Sequence, residues 1–96
     1  MAEIRKTETF AKWLDNLRDV QAKARILIRI ERLAAGNPGD VKAVGEGVSE
    51  MRIDYGPGYR VYFTKHGDKL IILLAGGNKS TQGRDIKRAV TLAQGL

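Results

Sequence analysis

The chain has 96 residues, which sets a single domain, residues 1–96, with a core that is adequate but small. Seventeen Lys and Arg against eleven Asp and Glu leave it at +6, with a pI near 9.9, a balance that favours an anionic partner such as nucleic acid or an acidic protein segment. It has no cysteine and one histidine, which excludes disulfides, thiolate metal sites, a cysteine nucleophile and paired-histidine metal motifs together.

Ala2 to Thr7 reads as extended, and Thr7 as the N-cap of a short helix with Glu8 in its first turn. Phe10, Trp13, Leu14 and Leu17 recur at i, i+3, i+4, i+7, the apolar stripe of that helix. Asp19 is positioned to cap a second helix from Val20 to about Ala35. Its expected stripe is Val20, Ala24, Leu27, Ile30 and Ala34, flanked by Ile26 and Leu33. Gly36-Asn37-Pro38-Gly39 ends it, and the pair reads as an αα-hairpin. Asp40 to Glu46 is expected to be a connector.

Three strands follow between Gly47 and Lys79, separated by turns at Gly56-Pro57-Gly58 and Gly67-Asp68. If the first hairpin closes symmetrically about Pro57, Asp54 faces Arg60, Arg52 faces Tyr62 and Glu50 faces Thr64. Side-chain alternation then puts Met51, Ile53, Tyr55, Tyr59, Val61 and Phe63 on an apolar face, and Arg52, Arg60 and Tyr62 on a polar one. The last strand, Leu70 to Ala75, is almost wholly apolar and so central and covered on both faces. Ser80 or Thr81 starts a final helix with Ile86, Ala89, Val90 and Ala93 inward. The order β-α-α-β-β-β-α predicts an α+β domain whose helical hairpin packs on a small, mostly antiparallel sheet. No apolar run approaches the ~20 residues of a membrane span, and the N-terminus lacks a signal-peptide core, so a cytoplasmic protein without a membrane role is expected.

Arg52 and Arg60 on one sheet face could clamp a phosphate, because a guanidinium fork matches two phosphate oxygens. The structural alternative is a ladder of cross-strand ion pairs with Glu50 and Asp54. Gly76-Gly77-Asn78-Lys79 offers close backbone approach to a ligand, and Lys79 sits unfavourably for a helix dipole, which suggests another task. His66 is expected to be solvated at a turn, and Arg18, Lys23, Arg25, Arg29 and Arg32 to form a solvated basic face. No Ser-His-Asp set, carboxylate pair or metal constellation can be assembled, and no cofactor is expected.

The segments GVSEMRI (47–53), GPGYRVYF (56–63) and LAGGNKSTQ (74–82), together with the Phe10/Trp13/Leu14/Leu17 helix and the loop from Gly36 to Asp40, resemble the RelE/ParE superfamily of bacterial toxins. The likeness is to the HigB-like, addiction-module killer branch, and it covers essentially the whole chain. It implies a RelE-like fold and a toxin that cleaves mRNA, usually at the ribosome, neutralised by a small cognate antitoxin through which alone it meets DNA. By position, Arg52, Arg60 and Lys79 match the family's catalytic cations, with Tyr62, Lys65 and Arg84 as RNA contacts. The tyrosine or histidine that often completes such sites has no counterpart between Gln82 and Gln94. The ParE branch poisons DNA gyrase instead, and a basic binding module is a third reading.

Overall fold

Thr7 and Asp19 cap the two N-terminal helices as their chemistry requires. The Thr7 hydroxyl accepts from the Phe10 amide at 3.0 Å, and the Asp19 carboxylate accepts from Gln21 and Ala22 at 3.0 and 3.1 Å. The computed structural model describes residues 1–96. In chain order it has β1 (Glu3–Lys6), α1 (Glu8–Asp15), α2 (Val20–Ala34), β2 (Val41–Gly45), β3 (Val48–Ile53), β4 (Tyr59–His66), β5 (Leu70–Asn78), a 3-10 turn (Lys79–Thr81) and α3 (Gln82–Gln94). The sheet order is β1-β5-β4-β3-β2, with β1 parallel to β5 and every other pair antiparallel. The predicted α+β class and helical hairpin are therefore present. No helix is long and apolar enough to cross a membrane.

The sheet carries a layer on each face. Phe10 and Leu14 of α1 and Ile26, Ile30 and Leu33 of α2 bury against Met51, Ile53, Val61, Phe63, Ile71 and Leu73. On the opposite face Ala89 of α3 packs with Val48, Tyr62, Ile72, Leu74 and Ala75. β5 lies between β1 and β4 and is covered on both sides, as its apolar run requires.

Four details depart from the sequence reading. The Asp40–Glu46 segment is not a connector, because Val41–Gly45 pairs with β3 as an edge strand. Its hairpin turns through Glu46 and Gly47, at φ of 55° and 77°, the geometry of a two-residue type I′ loop written without its usual Asn-Gly. On α2 the buried stripe is Ala22, Ile26, Ile30, Leu33 and Ala34, while Val20 and Leu27 are 79% and 46% exposed. This helix is apolar over much of its circumference, so periodicity leaves its rotation open. Arg29 helps fix it by donating to the carbonyls of Arg52 at 2.6 Å and Pro38 at 3.1 Å.

The β3–β4 hairpin pivots about Gly56 rather than Pro57, pairing Ile53 with Tyr59, Arg52 with Arg60 and Glu50 with Tyr62. A shift of two residues preserves the assignment of faces but changes every cross-strand partner. Finally, β5 continues through Gly76 and Gly77 to Asn78.

Candidate active site

Two rungs of the sheet under α3 hold the polar cluster. One runs Arg52–Arg60–Gly77 and the next Glu50–Tyr62–Ala75. The face that the sequence presents as a polar, open surface is instead roofed by the start of α3, and Glu50 and Tyr62 have no exposed surface. Burial of such a face requires that its polar atoms satisfy one another.

Glu50 does most of this. Its carboxylate accepts from Arg52 Nε at 3.0 Å, from the Tyr62 hydroxyl at 3.1 Å and from Gln82 Nε2 at 2.8 Å, and Arg60 Nε lies 3.6 Å away. Burial alone would raise its pKa. The hydrogen bonds from Arg52, Gln82 and Tyr62, with the charge of Arg60, outweigh that and hold the acid below its ordinary value. Burial, then the neighbouring Glu50 charge, pushes the Tyr62 phenol the other way, so it stays a neutral donor.

Arg60 is the least satisfied member. Its side chain is 11% exposed, and its buried Nε has no hydrogen-bond partner. A terminal nitrogen makes only a long 3.5 Å contact to the Gly58 carbonyl. A guanidinium held in place with spare donors can receive an oxyanion. Lys79 stands beside it on the 3-10 turn: the space that a side chain at Gly58 would enter is 3.5 Å from Lys79 Cβ and 3.8 Å from an Arg60 terminal nitrogen. The fold thus brings Arg52, Arg60 and Lys79 together. Of the ion-pair ladder, the Glu50 part forms, while Asp54 is exposed and unpaired.

Three other expectations meet a different geometry. Tyr62 offers no ring face to a base, because α3 covers it and its hydroxyl is bound to Glu50. Lys65 lies five residues along β4 from Arg60, on the order of 17 Å at strand rise, and does not join the cluster. Arg84 is exposed on the first turn of α3, where it lies 3.6 Å from Asp85, the carboxylate that packs over Gly77.

Gly76 and Gly77 do give close approach, but to the protein itself. A Cβ at Gly76 would overlap the Trp13 ring, and one at Gly77 would overlap the buried Asp85 carboxylate, which accepts from the Thr81 hydroxyl. Gln82, Asp85 and Trp13 carry no local signal of these roles; only the packing of α1 and α3 on either side of β5 reveals them. No three His, Asp or Glu side chains converge as metal ligands would.

The phage-derived Gp49-like protein family matches residues 12–95. An uncharacterized protein of Haemophilus influenzae is 53% identical over 94 residues, which covers 98% of this chain and 95% of that one. The free-state structure of a mutant of the E. coli toxin RelE superposes with a TM-score of 0.68 at 17% identity, over 92% of this chain and 98% of that chain. At that identity the likeness is one of fold.

Proposed function

The chain belongs to the phage-derived Gp49-like family and carries the fold of the RelE/ParE superfamily, and on that premise we propose that it is the toxin of a bacterial toxin–antitoxin module and a metal-independent endoribonuclease. The observation that carries this reading is the Arg60 guanidinium, fixed against the sheet, with only one long contact from its terminal nitrogens and flanked by Arg52 and Lys79. The substrate is mRNA at the ribosome, and the site of action is the cytoplasm.

The 2′-hydroxyl of a bound nucleotide attacks its own 3′-phosphate, losing its proton to solvent water while the departing 5′-oxygen gains one. The O2′–P bond forms, the P–O5′ bond breaks, and the products are a 2′,3′-cyclic phosphate and a 5′-hydroxyl. Arg60 stabilises the charge that builds on the phosphorane. Arg52 holds the phosphate, and Lys79 neutralises or protonates the departing 5′-oxygen. Such fixed donors contribute on the order of 2.7–4 kcal/mol each when aimed at developing charge. Glu50 is too buried to meet the substrate and acts by orienting Arg52 and Arg60.

Induction of the protein alone, with mapping of mRNA 5′ ends, tests this. Growth arrest with new internal 5′ ends is expected. Arrest accompanied by DNA breaks would favour gyrase poisoning, and absence of toxicity would leave a basic binding module.

A further inference from the structure

Away from the Arg60 cluster, a cleft of about 450 Å³ opens between α1 and α3 above β5. Glu8, Lys12 and Trp13 form one wall, Arg84, Asp85 and Arg88 the other, and Gly76 the floor, so three cations outnumber two carboxylates. We propose that this cleft is a second RNA subsite, which seats the sugar-phosphate of a nucleotide flanking the scissile one. The proposal rests on the ribonuclease reading and extends it.

Three cations from two helices face one another here. Lys12 pairs with Glu8 at 2.9 Å and Arg84 with Asp85 at 3.6 Å, but the two cationic side chains are 72% and 76% exposed. The Lys12–Glu8 pair, exposed on both sides, contributes little and exchanges readily for another anion, whereas Asp85 is buried and only the Arg84 end of its pair is open. Arg88 is exposed and makes no ion pair at all. Trp13 is a rigid wall, its ring over Gly76 and its neighbours Phe10 and Tyr59 at centroid distances of 5.7 and 6.3 Å. Cations along a groove beside an aromatic surface suit single-stranded nucleic acid.

Position favours the same ligand. Gly77 stands opposite Arg60 and its neighbour Gly76 floors the cleft, so the cleft lies along the outer edge of the strand next to Arg60, with Asp85 packed over Gly77 between them. It opens to solvent because β1 pairs with β5 only as far as Lys6 and Leu73. An added peptide strand is the competing occupant. The Thr7 hydroxyl already binds the Leu74 carbonyl at 2.6 Å, so only the four residues Ala75–Asn78 remain at that edge, the short end of strand lengths.

The test uses oligoribonucleotides made uncleavable by 2′-deoxy substitution at the scissile position, one just spanning the Arg60 cluster and one extended by flanking nucleotides. Binding by fluorescence anisotropy is compared between the wild type and the Arg84→Ala/Arg88→Ala variant at several salt concentrations. The longer oligonucleotide should lose about tenfold in affinity, with a salt slope shallower by ~0.7 for each lost contact. The shorter one should bind both proteins equally. Equal effects on both lengths, or none on either, would overturn the subsite. So would loss of binding to polyglutamate with RNA binding unchanged, which would assign the cleft to a protein partner. Failure of the wild type to bind either oligonucleotide would overturn the subsite, while the ribonuclease reading stands or falls on cleavage of ribosome-bound mRNA.

Discussion

At the scale of single residues, the cluster is unequally satisfied: Glu50 has every partner it needs, whereas Arg60 has almost none. The depressed acidity of Glu50 makes this testable. Because its folded-state pKa lies below the ordinary 4.5, the ionised carboxylate stabilises the fold above that pH, and this contribution is lost as pH falls through the folded value. Wild-type melting temperature should therefore drop as pH falls below about 4.5. Glu50→Gln, weaker at neutral pH by on the order of 2 kcal/mol, should show a flatter acid limb. Identical acid limbs would show that Glu50 is not the titrating group. Lys79, on its exposed turn, is predicted to act through charge. Lys79→Arg should then keep most of the single-turnover cleavage rate that Lys79→Ala loses. Equal loss in both variants with an altered pH profile would assign proton transfer instead.

At the scale of elements, β5 is where packing is tightest, with Trp13 against one side of its glycine pair and Asp85 against the other. Gly76→Ala must displace an indole ring already wedged by Phe10 and Tyr59, and should cost about 1–3 kcal/mol in denaturant unfolding. An unchanged midpoint would mean that α1 is free to move outward. The same strand shows how far sequence carries. Its apolar run predicts a central strand, and Thr7 and Asp19 announce their helices by chemistry that acts locally. The two faces of the β3–β4 hairpin are legible because they depend only on parity, whereas its register depends on where a loop closes, and Pro57 misleads. The β2 strand escapes notice because Glu46-Gly47 makes an Asn-Gly type of turn with an unusual residue. Arg52, Arg60 and Lys79 can be picked out as cations on one face. That Glu50 and Tyr62 lie buried beneath α3 cannot, because their burial depends on a partner, Gln82, that is distant in sequence.

At the scale of the whole molecule, a charge of +6 must be managed by any inhibitor. α2 leaves Val20, Leu27 and Ile28 exposed beside Arg25 and Arg32, an apolar surface with a basic margin. An acidic antitoxin segment that folds on binding suits such a surface. Its association rate should fall steeply as salt rises, measured by stopped-flow mixing, while dissociation changes little. A salt-independent rate would remove electrostatic steering from the account.

The central claim is that cations on this sheet, with Arg60 foremost, cleave RNA through its own 2′-hydroxyl. It is tested most directly by incubating purified wild type and Arg60→Ala with translating ribosomes in the presence of a metal-exchange control, and identifying the chemical ends of the fragments. Arg60→Ala takes a compensating charge from buried Glu50 and should melt lower than the wild type while still unfolding in one cooperative transition, so cleavage is compared well below both melting temperatures. The wild type should yield 2′,3′-cyclic phosphate and 5′-hydroxyl ends, and Arg60→Ala should cleave at least about a hundredfold more slowly. Undiminished cleavage by folded Arg60→Ala, or fragments ending in 5′-phosphate, would contradict it.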